Sequence, residues 1–159
     1  MNETKADRSS PFPWPPVLFA AAIVLALGLD ALVFRLPVPF AETQTMHFAG
    51  MTMLLGGIVL ALWAALRFRS HRTSIRPDRP SSALVATGPF AFSRNPMYLG
   101  EVIALVGAGI AFNRLWLVAA APAFALAVTR LAIEREEIYL ERRFGPAYLD
   151  YRARVRRWI

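Results

Sequence analysis

Residues 48–66 read FAGMTMLLGGIVLALWAAL, nineteen positions without one charged side chain. At 1.5 Å of rise per residue, a helix of that length spans roughly 28 Å, close to the thickness of a bilayer's hydrocarbon. Backbone amides in lipid find no water to bond, so such a run has to be helical. The pattern recurs on both sides of it. Residues 17–34 are apolar but for Asp30, and residues 97–112 but for Glu101. Residues 115–133 follow after a break of only two residues, Asn113 and Arg114. Two apolar runs joined so tightly form an antiparallel helical hairpin. The expected fold is an all-α integral membrane protein of about four transmembrane helices.

Composition agrees. Of 159 residues 56% are apolar, yet the formal net charge is +7. A soluble domain of this size lacks the interior to hide so much apolar surface. Charge and apolar residues occupy separate stretches, as a membrane protein requires. There is no cysteine, which removes disulfides and thiolate chemistry, and His47 and His71 have no pattern of metal ligands around them. The basic residues flank apolar spans with few interleaved aromatics, which argues against nucleic acid as a partner and for membrane lipids.

The first sixteen residues read as a mobile tail, with Pro11, Pro13, Pro15 and Pro16 and an interfacial Trp14. Lys5 and Arg8 precede the first span as they would in a secretory signal. Asp30 and Arg35 stand where a small-residue cleavage site would lie, so the span reads as a retained anchor. The division expected is a tail (1–16), a two-helix anchor (17–66) and a core (67–159). With both termini cytoplasmic, only Arg35 and Arg114 of the 18 basic residues fall outside, so the positive-inside rule selects that orientation.

Three cytoplasmic features carry candidate chemistry. Thr87-Gly88-Pro89-Phe90 and Ser93-Arg94-Asn95-Pro96-Met97-Tyr98-Leu99-Gly100 make a turn leading into a helix, with Pro96 suited to its first turn. That junction reads equally as an anion-accepting helix start or as an arginine snorkelling to lipid phosphates. Glu101 is an ionisable group one turn inside an apolar helix, which marks a functional site unless it merely reaches the headgroups or pairs with an arginine of the loop. Third, Arg130 and Glu134 are four apart and can pair on one helix face. Glu136 and Glu137 diverge by about 100°, so one is expected to face a pocket and the other solvent. Tyr148, Tyr151, Val155 and Trp158 recur at helical spacing among Arg152, Arg154, Arg156 and Arg157. They predict a cytoplasmic amphipathic C-terminal helical segment lying on an anionic leaflet. Gly107-Ala108-Gly109 sits inside an apolar helix and reads as close helix packing, not a nucleotide loop.

The Gly-Pro-Phe turn, the run from Arg94 to Gly100, the Glu136-Glu137 pair and Phe144-Gly145-Pro146-Ala147-Tyr148-Leu149-Asp150-Tyr151 come in one order. In this, residues 82–157 resemble the isoprenylcysteine carboxyl methyltransferase family, whose wider group includes phospholipid N-methyltransferases; the chain resembles a short, bacterial-type member. The resemblance implies S-adenosyl-L-methionine as cofactor, held by a cytoplasmic loop and helix ends. It implies cofactor contacts at Ser82, Ala83, Leu84, Val85, Phe90, Arg94, Asn95, Pro96, Met97, Tyr98, Glu136 and Glu137. Phe90 or Tyr98 would face the sulfonium through a cation–π contact. Two positions depart from the family. Asn95 replaces a histidine and cannot carry a proton. Ala132 stands where the family places its substrate-carboxylate arginine, a role open to Arg130 or Arg135. The methyl acceptor implied is hydrophobic: a lipidic thioether carboxylate, a phospholipid amine or a small thiol. An amine would need a base, for which Glu101 and Glu134 are the candidates. With Arg130 they are the expected catalytic residues, and no metal is expected.

Overall fold

The computed structural model describes residues 14–39, 43–70 and 84–159. The tail through Pro13, the loop arginines Arg72, Arg76 and Arg79, and the candidate positions Ser82 and Ala83 lie outside the described residues. The described chain is all helical: α1 (Trp14–Leu32), α2 (Gln44–Ser70), a 3-10 turn (Gly88–Ala91), α3 (Pro96–Ala111), α4 (Leu115–Val128), a π turn (Thr129–Ile133), α5 (Glu134–Phe144) and α6 (Pro146–Arg154).

Three stretches are long and apolar enough to cross a membrane: Pro15–Leu32, Gln44–Arg69 and Leu115–Phe144. The fourth expected span, α3, is apolar but only 16 residues long, roughly 24 Å at helical rise. The helix ends follow their residues. α1 starts at Trp14, so Pro15 and Pro16, expected in the tail, form its first turn, where a missing N–H costs nothing. α2 outruns the apolar 48–66 segment at both ends and finishes on Arg67 and Arg69, which suit the negative end of a helix dipole.

Packing order departs from chain order. α2 packs on α3, α3 on α4, and α4 on α1, so the helices run α2–α3–α4–α1 across the bundle. The α2–α3 contact is built from glycines seven residues apart on each antiparallel helix. A Cβ on Gly57 would sit 2.5 Å from the Gly100 carbonyl oxygen, and one on Gly100 equally close to that of Gly57. Two turns along, Gly50 and Gly107 meet the backbones of Ala111 and Leu54 in the same way. Lipid tails give apolar helices no hydrophobic reason to associate, so backbone approach of this kind carries the contact. Gly109 faces the other way, onto Val118 of α4, so the 107–109 segment is helix packing on two sides.

One end of the bundle is latched through the α3–α4 turn. Asn113 takes the left-handed backbone (φ 52°) that asparagine tolerates better than most residues, and its Oδ1 accepts from the Val38 N–H at 2.7 Å. Arg114 pairs with the buried Asp30 of α1. The Trp116 indole donates to the Phe34 carbonyl, and a ring nitrogen of His47 meets the Ala111 carbonyl at 2.9 Å.

At the other end, α4 passes into α5 through the π turn. The Thr129 hydroxyl donates to the Ala125 carbonyl at 2.6 Å, competing with the helical ladder where the turn begins. The Glu134 N–H then bonds five residues back, to Thr129. The extra residue in this turn shifts the phase of α5 relative to α4.

The predicted C-terminal helix stops early. α6 ends at Arg154, Val155 is extended, and Tyr148 and Tyr151 are buried in the protein instead of facing a leaflet. Their hydroxyls have internal partners, Arg94 and the Phe90 carbonyl, which a lipid surface would not supply.

Candidate active site

The candidate residues fall into three neighbouring groups at the α3 N-terminus. The first is apolar. Val85 and Phe90 are buried with Ala64 of α2, and Phe68 and Met97 pack against them. Phe90 is 4% exposed, with its ring edge-on to Phe68 at 4.7 Å between centroids. Gly88 turns at φ 64°, a left-handed value that glycine adopts without strain, and brings Pro89 and Phe90 back onto α2. Leu84, just upstream, is partly buried.

The second group is a charge cluster centred on Glu137. Arg94 Nη1 lies 2.9 Å from Glu137 Oε1, and both side chains are only 11% exposed. Arg157 grips the same carboxylate twice, through Nε at 3.1 Å and Nη2 at 2.6 Å. Arg94 Nη1 also donates to the Tyr148 hydroxyl at 3.2 Å. Burial raises the Tyr148 and Tyr151 hydroxyls above their ordinary pKa, an effect the charge of Arg94 partly offsets in both. Glu137 is thus buried and engaged by two arginines, so its divergence from Glu136 does not leave it facing solvent. Sequence reasoning missed Arg157, which stood in a run of arginines with nothing to single it out.

The third group is Tyr98, Glu101 and Glu136. Tyr98 and Glu101 share a face of α3 at i, i+3 spacing, and Glu136 approaches from α5. Both carboxylates act electrostatically on the Tyr98 hydroxyl. Neither forms an ion pair among the described residues, and Glu101 Oε2 is buried with no hydrogen-bond partner there. Such an oxygen stays costly until a donor reaches it.

Pro96 opens α3 at its first position, as the sequence predicts. Asn95 does not cap that helix with its side chain; its Nδ2 donates instead to the Arg157 carbonyl at 3.0 Å. Arg130 and Glu134 do approach each other, at 3.9 Å, but the Arg130 side chain is 69% exposed. Glu134 also stands 3.9 Å from Arg157, so it borders the charge cluster. Ala132 packs against the bundle core and Arg135 is exposed.

Comparisons with known proteins match the stretch of chain that carries these groups. A family model described as phospholipid methyltransferase matches residues 45–147, which takes in α2 as well as the α3–α5 site. Protein-S-isoprenylcysteine O-methyltransferase B of Arabidopsis thaliana is 31% identical over 150 residues, covering 87% of this chain and 74% of the plant protein. The nickel-cobalt-cadmium resistance protein NccN of Alcaligenes xylosoxydans xylosoxydans is 34% identical over 115 residues. That alignment covers 72% of this chain, which spans about half of NccN (48%). With its match running from α2 through the glutamates of α5, the chain belongs to the phospholipid methyltransferase family.

Proposed function

We propose that the protein is an integral membrane methyltransferase that uses S-adenosyl-L-methionine to methylate a lipidic or otherwise hydrophobic acceptor. The carrying observation is the contrast between neighbouring glutamates. Glu137 is saturated by two arginines, whereas Glu136 and Glu101 flank Tyr98 without an ion pair among the described residues. Carboxylates left in this way suit a ligand with positive charge and several hydrogen-bond donors, and this cofactor brings a sulfonium, an amino group and ribose hydroxyls. When bound, it supplies a methyl group already activated for transfer.

The chain's own part is binding and alignment. Glu136 accepts hydrogen bonds from the cofactor's donors, and the Tyr98 ring offers a face to its positive charge. Arg94, Asn95, Pro96 and Met97 set the position of the first α3 turn, with Leu84, Val85 and Phe90 behind it. Holding two reactants in line can supply about 7–11 kcal/mol in ideal cases. α1, α2, α3 and α4 each cross the bilayer, with both termini cytoplasmic. The glycine seam that joins the short α3 to the long α2 supports this topology, as does the gathering of arginines at the α3 N-terminus. The acceptor then enters laterally from the lipid.

A phospholipid-type amine is the second reading. It is favoured by Ala132 at the position of the carboxylate-binding arginine and by Glu101 as an available base. Calorimetry of detergent-solubilised protein with S-adenosylmethionine tests the main reading: saturable binding is expected, weakened in Glu136→Gln. No binding to the wild type would leave a non-catalytic membrane scaffold as the better account. A lipid screen with labelled methyl donor identifies the acceptor class. Full methyl transfer by Glu101→Gln would exclude the amine, which needs a base.

A further inference from the structure

Residues 155–159 leave α6 through the extended Val155 and run back across the loop that precedes α3. Three consecutive loop residues bond to two consecutive carbonyls there. The Arg94 N–H donates to the Arg156 carbonyl at 3.0 Å, while Ser93 Oγ and Asn95 Nδ2 donate to that of Arg157 at 3.3 and 3.0 Å. The Arg157 side chain then reaches α5 and takes Glu137 in a two-point grip. Trp158 packs on the bundle core beyond it. This segment lies outside the family match, which stops at residue 147.

We propose that Arg157 is a positioning residue for the methyl-donor site, and that residues 155–159 form a strap joining the 93–95 loop to Glu137 of α5. The inference rests on the functional reading above. Arg157 touches none of Tyr98, Glu101 or Glu136 among the contacts described; it acts on both elements that carry them. Its carbonyl fixes the approach to α3, and its guanidinium fixes the rotation of α5, on which Glu136 is the residue next to Glu137. Donation to the Glu137 carboxylate raises the Arg157 pKa above its ordinary value. The arrangement also gives a physical reason for Asn95. An asparagine there supplies the N–H that a carbonyl needs, and a strap, not a proton transfer, is what it serves.

The test is calorimetric titration of the full-length, detergent-solubilised protein with S-adenosylmethionine, comparing wild type, Arg157→Ala, Arg157→Lys and a chain truncated after Arg154. A merely structural role would lower the binding-competent fraction and leave Kd unchanged. A positioning role raises Kd at unchanged stoichiometry. The expected result is a Kd about tenfold higher for Arg157→Ala, given that misplacement by about 1 Å can cost on the order of a hundredfold. Arg157→Lys should fall between, since lysine keeps the charge but cannot make the two-point contact. The truncation should exceed Arg157→Ala, because it removes both carbonyls as well. A Kd for Arg157→Ala within about twofold of wild type, or a loss confined to stoichiometry, overturns the inference and leaves the functional reading standing. Absence of saturable binding to the wild type overturns both.

Discussion

Glu136→Gln and Glu137→Gln change adjacent residues by the same atoms and should have opposite consequences. Glu137 is the ionic partner of Arg94, and both side chains are 11% exposed. Removing one member of a buried pair leaves the other charge uncompensated, at a cost of about 3–5 kcal/mol. The Arg157 side chain is 34% exposed and can turn to water, so its loss adds little to that figure. At about 2–4 °C per kcal/mol for a chain of this size, Glu137→Gln should lower the Tm by about 6–20 °C. Glu136 has no ion-pair partner among the described residues, so its neutralisation breaks no pair formed there. Glu136→Gln should keep or slightly raise the Tm while weakening S-adenosylmethionine binding. Thermal unfolding in detergent, followed by tryptophan fluorescence, reads the first quantity and calorimetry the second. A stable Glu137→Gln beside a destabilised Glu136→Gln would refute the assignment of roles.

The glycines of α2 offer an internal control. A Cβ on Gly57 would lie 2.5 Å from the Gly100 oxygen, whereas one on Gly56 meets nothing within 4 Å. Gly57→Ala should therefore push α2 off α3 by about 1 Å and lower both Tm and donor affinity, while Gly56→Ala should gain about 0.5–1 kcal/mol from helix propensity; equal effects would dismiss the seam. At the opposite end, Arg114→Ala strands the buried Asp30 and should cost about 3–5 kcal/mol, whereas Asp30→Asn leaves a half-exposed arginine free to hydrate and should cost far less. Chemical denaturation of the two variants compares them directly. Burial raises the Tyr151 hydroxyl above its ordinary 10.0, an effect only partly offset by Arg94, so the folded state resists its ionisation. The unfolded chain releases that proton first, so this contribution to stability is whole below pH 10 and is lost as pH climbs from 10 through the higher folded value. Tyr151→Phe should flatten that alkaline decline in a series of Tm measurements.

Much of the fold was legible before any coordinates. Residues 48–66 had to be a helix because unpaired amides are intolerable in hydrocarbon, and α2 covers them entirely. Asn113 and Arg114 had to be a turn, and Pro96 a helix start, for reasons carried by those residues alone. The family motifs pointed to residues that the fold brings near one another, since Arg94, Tyr98, Glu101, Glu136 and Glu137 gather around one end of α3. These inferences succeed because transfer into lipid and backbone preference are local and nearly additive along a chain.

Other features depended on contacts between residues far apart in sequence. That α1 lies against α4, that Asp30 meets Arg114, and that Glu137 rather than Glu136 takes the arginines were settled only when the helices packed. The diverging directions of Glu136 and Glu137 followed from helical geometry, but the expectation that one would be solvated did not hold, because residues 155–159 fold back and bring Arg157 to Glu137. Tyr148 and Tyr151 read as a lipid-facing stripe for the same reason: spacing shows that two side chains share a face, and only the surrounding structure decides what that face meets. Sequence determined which segments are apolar helices and where they turn. The tertiary structure decided which charges pair and which stand without an ion-pair partner among the described residues, because electrostatic pairing falls off over a few ångströms in space and takes no account of separation along the chain.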